Sequence, residues 1–131
     1  MGAMKQHILE QQDRDERVER LKELNNMESD QEWIDTLADI IGIETDLGRK
    51  SFHALCEAAI LLDSKNRDYG PGNISAFGER GVVVRLNDKV ERLKTLVWNG
   101  KSPEHEKVAD TWIDIANYGI IGLLCHKGVW K

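Results

Sequence analysis

Only two prolines, Pro71 and Pro103, interrupt this chain, and almost no stretch alternates apolar with polar residues. Half-buried strands carry a period of two and amphipathic helices a period near 3.6. Here the apolar residues recur three and four apart. The pattern predicts an all-α domain: a compact helical bundle of about five helices with one long Gly-rich loop.

Residues 5 to about 26 form a charge-dense, thinly amphipathic helix whose few apolar residues are Ile8, Val18, Leu21 and Leu24. A second helix begins with Ser29 or Asp30 as N-cap. It carries Trp33, Ile34, Leu37, Ile40 and Ile41 on one face and closes at Gly42. A third runs from near Arg49 to about Lys65 and is apolar nearly all round, as in a helix packed on several sides. Residues 66–81, NRDYGPGNISAFGERG, hold four glycines and a proline and are expected to be the main loop. A fourth helix covers roughly Val83 to Trp98. A fifth starts at Ser102-Pro103 as N-cap and first turn, with Gly128 just past its end. The opening MGAM, residues 1–4, reads as a cloning scar ahead of an N-terminal helical extension, 5–48.

With 131 residues the chain is long enough for one domain with a real core. A net charge of -5 argues against binding duplex nucleic acid, which needs a basic field. It leaves room for a small anion held by a few cations. Cys56 and Cys125 both lie in apolar runs, so reduced core thiols and a cytoplasmic location are expected. No run reaches the length of a membrane span, so no membrane partner is expected.

The stretch ALCEAAILLD, from Ala54 to Asp63, places Glu57 inside an apolar run. An unpaired buried charge is too costly, so Glu57 must be a surface residue, a paired one, a neutral one or a ligand. On the fifth helix, Glu106, Asp110, Asp114 and Asn117 fall on one stripe flanked by Ile113, Tyr118, Ile121 and Leu124. A solvated acidic face is the plainer meaning of such a stripe. Large apolar flanks and like charges one turn apart favour a neutralising partner instead. Three carboxylates from two packed helices, Glu57, Asp110 and Asp114, suit magnesium or manganese.

The fourth helix offers the opposite sign. Arg85, Asp88, Lys89 and Arg92 share one side, with Asp88 placed to orient the two arginines for phosphate. A surface salt-bridge ladder is the commoner meaning. The loop adds Lys65, Tyr69 and Asn73. Tyr69 is expected either to stack on a base or to plug the core.

KNRDYGPGNISAFGERGVVVRLNDKVERLKTL, followed by HEKVADTWIDIANYGIIGL, resembles a phage and bacterial family called nucleotide-modification-associated domain 1. The resemblance covers about residues 50–126 and implies a nucleotide context for a domain over 49–131. More distantly the chain is similar to all-α nucleoside triphosphate pyrophosphatases, the MazG-like and dimeric dUTPase group. That likeness implies magnesium held by acidic residues of two helices, Glu57 on the first and Asp110 and Asp114 on the second. Ile60 stands where a second glutamate of an E-x-x-E pattern would fall, and Asp110 and Asp114 are spaced D-x-x-x-D.

The resulting expectation is a magnesium-dependent nucleotide pyrophosphohydrolase or related phosphohydrolase that acts on a small-molecule nucleotide. Glu57, Asp110 and Asp114 would bind metal, and one of them or Asp88 would orient the attacking water. Lys65, Arg85, Lys89 and Arg92 would hold phosphates, and Tyr69, Asn73 and Asn117 the sugar or base. Two rival readings are a non-catalytic nucleotide-sequestering protein and a protein-interaction module. A homodimer or higher homo-oligomer is expected, with Trp33, Trp98, Trp112 and Trp130 offering contact area.

Overall fold

A computed structural model describes residues 2–25 and 30–131, with the backbone alone for 17, 18 and 20–25. Its helices are α1 (Gly2–Asn25), α2 (Asp30–Ile41), α3 (Asp46–Tyr69), the single turn α4 (Gly72–Ser75), α5 (Gly78–Leu93) and α6 (Val108–His126). No strand occurs among the described residues, so the all-α expectation holds. The Ser29 cap and the side chains of Val18, Leu21 and Leu24 lie outside the described residues. The chain divides into two compact units, Met1–His53 and Ala54–Lys131.

In the first unit, α2 stops where the sequence says it should. Gly42 has φ 94, its N–H donates to Asp39 O at 3.1 Å, and Ile43 N–H reaches Ala38 O at 2.9 Å. These two bonds make a Schellman stop, which needs the left-handed residue that glycine supplies. The next helix begins earlier than Arg49. Thr45 Oγ1 accepts from Gly48 N–H at 3.0 Å, and Asp46 sits in the first turn, where the helix dipole favours a carboxylate. Ala38 is fully buried. Arg49 ion-pairs with Asp39, and His53 Nε2 lies 2.7 Å from Asp35 Oδ1.

The second unit corrects the expected long loop. Residues 66–69 are the last turn of α3, 72–75 form α4, and 78–81 open α5. Gly70, at φ 70, donates to Asn66 O at 2.7 Å and ends α3. Pro71, which cannot continue the helix, follows. The glycines here are junctions between helices, not a flexible span. Gly81 has a different job: a Cβ built on it would lie 2.5 Å from Phe77 Cβ. Gly81→Ala is therefore expected to cost about 1–3 kcal/mol. Gly119→Ala on α6, whose Cβ would meet nothing within 4 Å, is expected to gain about 0.5–1 kcal/mol. Urea midpoints of the two variants, measured side by side, check the pair.

α5 and α6 pack along each other. Val82 and Ile121 are buried, and Val82 Cγ1 lies 3.5 Å from where a Cβ on Gly122 would stand, an ordinary packing distance. The fourth expected helix thus begins at Gly78, ahead of Val83. Its last turn, Lys94–Trp98, is π-helical, with Asn99 N–H reaching back to Lys94 O at 2.9 Å.

The expected helix start at Ser102-Pro103 is also corrected, since α6 begins only at Val108. Arg92 explains how the intervening segment is held. Its Nε donates to Thr111 Oγ1 at 3.0 Å and its Nη2 to Glu106 O at 2.6 Å. The segment's carbonyl is thereby bound from the side, by a neighbouring helix, and not by its own next turn. By length and composition α6 is apolar enough to cross a membrane, contrary to the sequence expectation. It packs against α5 and carries an ion-paired aspartate, Asp114.

Candidate functional site

Three elements of the second unit meet at a cleft of about 130 Å³. The end of α3 brings Lys65, Asn66 and Tyr69; the turn after it brings Asn73 and Ile74; α6 brings Asp114, Asn117 and Tyr118. Trp130 closes one side. It arrives there because α6 ends in a second Schellman stop. Gly128, at φ 71, donates to Cys125 O at 3.0 Å, and Val129 N–H reaches Leu124 O at 3.0 Å. The reversed chain lets Trp130 Nε1 donate to Pro71 O at 3.2 Å, which fixes the indole beside the cleft.

The polar centre of the cleft is Asp114. Lys65 Nζ lies 3.2 Å from Oδ1 and Lys89 Nζ lies 2.9 Å from Oδ2. The carboxylate side chain is only 12% exposed, Lys89 24% and Lys65 51%. Burial pushes the Asp114 pKa up, but the hydrogen bonds from Lys89 and Lys65 outweigh it and hold the carboxyl below its ordinary value. The hydrogen bond to Asp114 likewise raises Lys89 above its own ordinary value, against the desolvation that would lower it. Both partners stay charged at neutral pH.

Asn117, 7% exposed, donates from Nδ2 to Ala58 O at 3.0 Å. A backbone carbonyl only accepts, so the amide orientation follows from chemistry. Asn73 Oδ1 accepts from Arg85 Nη2 at 3.2 Å, which links α5 to the cleft rim.

Several residues singled out in the sequence thus converge. Lys65, Tyr69, Asn73, Asp114 and Asn117 line the cleft, Lys89 touches it through Asp114, and Arg85 through Asn73. Others stand apart. Arg92 is occupied with Thr111 and Glu106. Asp88 is exposed, and the two arginines expected to turn to it bind other partners. Glu57 and Asp110 are exposed. The apolar run around Glu57 is itself open, with Leu55 and Ile60 more than half exposed. Glu57 therefore needs no neutralising partner.

No group of three or more His, Cys, Asp or Glu side chains gathers as a metal centre among the described residues. Both oxygens of Asp114 are engaged by ammonium groups, so a divalent cation would have to displace two lysines to reach it. As arranged, this donor set fits cations of lysine better than magnesium.

Sequence reasoning undervalues Trp130 and Thr111. The signal for the first is present, in Gly128 just before it. Thr111, fully buried, has none, because its partner Arg92 is nineteen residues away.

The cleft thus combines aromatic, amide and ammonium groups on an all-α frame. Residues 65–125 match the family described as nucleotide modification associated domain 1. The match contains every cleft element except Leu62 and Trp130, and the resemblance read from the sequence holds over this segment. No curated protein and no solved structure gives a match.

Proposed function

We propose that this chain binds a nucleotide in the Lys65–Asp114 cleft. One observation supports this above the rest: ammonium groups, three aromatic side chains and three asparagines line or border a single opening. Lys65 and Lys89 answer a phosphate, for which ammonium is a compact point charge. Tyr69, 79% exposed, offers a face for a base to stack on, and Asn117 and Asn73 present amide groups to its polar edge.

The test is calorimetric titration with a panel of nucleoside mono-, di- and triphosphates. Binding of at least one nucleotide is expected. Lys65→Gln is expected to weaken it at least about tenfold, the loss of a charge-assisted hydrogen bond. Tyr69→Ala should weaken it by a similar factor through lost stacking. Lys50→Gln, whose exposed side chain pairs with Asp46, should change nothing. If no nucleotide binds, or Lys65→Gln binds like the wild type, the cleft is not a nucleotide site.

Magnesium-dependent phosphohydrolysis is the second reading. Asp110, exposed one turn before the lysine-held Asp114 on α6, is the carboxylate that reading would use for the cation. Turnover of the nucleotide panel with magnesium and with a chelator tests it. Asp110→Asn should abolish any magnesium-dependent rate while leaving nucleotide binding in chelator intact. Wild-type turnover by that variant would remove Asp110 from the reaction.

A further inference from the structure

We infer that the Asp114 carboxylate is an internal stand-in for the ligand's phosphate, which must displace it to bind. This rests on the nucleotide-binding reading above and adds how the anion site is built. The two lysines hold Asp114 one per oxygen, Lys65 on Oδ1 at 3.2 Å and Lys89 on Oδ2 at 2.9 Å. A phosphate presents two oxygens at nearly the same spacing, so the seat that fits the carboxylate also fits a phosphate.

Access is unequal. Lys65 and Asp114 line the cleft, whereas Lys89 does not. The carboxylate therefore stands between the opening and Lys89, and an entering phosphate meets both lysines only when Asp114 turns aside. Charge makes the exchange necessary. Two ammonium groups neutralise a phosphate dianion, whereas an aspartate left in place adds a third negative charge a few ångströms away. Unit charges that close, in a partly buried site, repel by far more than a tenfold change in affinity.

Asp114 is thus a positioning residue. In the free protein it keeps two like charges close together and ordered. In the complex it is the competitor that the ligand must beat. A purely supporting carboxylate would behave oppositely, because its removal would loosen the lysines and weaken binding.

The experiment uses inorganic phosphate and pyrophosphate, in the presence of a chelator, with the whole chain. Asp114→Asn keeps the side-chain size and removes the charge. It is expected to bind inorganic phosphate at least about tenfold more tightly than wild type. Asp114→Glu, which keeps the charge, should show no such gain. Adding Lys89→Gln to Asp114→Asn should abolish the gain. Equal or weaker phosphate binding by a helical, cooperatively melting Asp114→Asn overturns the inference, as does failure of phosphate to bind either protein.

A second measurement avoids the variant. In a crystal structure of the wild type with inorganic phosphate, both ammonium groups should contact the anion and Asp114 should face away. Phosphate on Lys65 alone, with Asp114 still on both lysines, overturns the proposal. A nucleotide that binds the wild type and is lost with Lys65→Gln, without any gain in Asp114→Asn, defeats this inference and leaves the nucleotide-binding reading standing.

Discussion

Replacing Asn117 by aspartate should lower the stability of the second unit by about 2–4 kcal/mol at neutral pH, the cost of a buried acceptor facing another acceptor. Asn117 is 7% exposed and spends its Nδ2 on Ala58 O at 3.0 Å. A carboxylate of the same shape turns that hydrogen bond into oxygen facing oxygen. For a unit of this size the loss corresponds to a melting shift of roughly 10–20 °C. The deficit should shrink in acid. Once protonated, the introduced carboxyl of Asn117→Asp regains a donor, so the folded variant raises this group's pKa and binds more protons than its unfolded chain. The variant therefore recovers stability, relative to wild type, as pH falls toward about 4. Melts of both proteins across neutral and acidic pH give the answer. A variant that melts with the wild type at neutral pH would mean Asn117 is not anchored as described.

The second large effect concerns the ion pair from its other side. Lys89→Met keeps most of the side-chain bulk and leaves Asp114, 12% exposed, with Lys65 alone. A nearly buried carboxylate that loses its closer partner should cost about 2–3 kcal/mol, below the roughly 3–5 kcal/mol of a fully buried broken pair. The pH dependence has a definite sign. In the wild type the folded state depresses the Asp114 pKa. Its contribution is therefore complete above the unfolded value near about 3.9 and is lost as pH falls through the lower folded value. In Lys89→Met burial is opposed by one lysine only, so the folded pKa climbs and the two stability curves converge in acid. At the alkaline end, Lys89 titrates above its ordinary value, so its contribution persists to about pH 10.5 and then falls away. Urea midpoints measured from acidic to alkaline pH separate the two proteins. Parallel curves throughout would show that the Lys89–Asp114 contact contributes nothing.

The places where helices stop are legible because their causes are local. Gly42 and Gly128 end helices with left-handed backbone, and the glycine is next to the bonds it makes possible. Thr45, three residues before Gly48, is an equally local start signal, and it sets the start of α3 ahead of the Arg49 that apolar periodicity suggests. The glycine-rich stretch 66–81 shows the limit of such reading. Glycine and proline mark junctions there, but the residues between them lie in helical turns.

The order of residues along α6 is enough to place Asp110, Asp114 and Asn117 close together on a helix, and their apolar flanks single them out. It says nothing of their partners. Asp114 and Asn117 turn toward α3 and α5, whereas Asp110, one turn earlier, stays exposed. The four polar groups read as one phosphate grip on α5 split up as well. Arg85 binds Asn73, Lys89 binds Asp114, Arg92 binds Thr111 and Glu106, and Asp88 remains at the surface. Helical spacing sets which side chains share a face, because that depends on backbone geometry within a few residues. Which of them becomes a site depends on groups 12 to 59 residues away, whose approach is settled when the helices pack. An all-α chain, its glycine stops and the residues able to meet an anion follow from the order of amino acids, since each depends on neighbours in the chain. The convergence of Lys65 and Lys89 on Asp114 follows only from packing, since three separate helices must bring their charges within 3.2 Å.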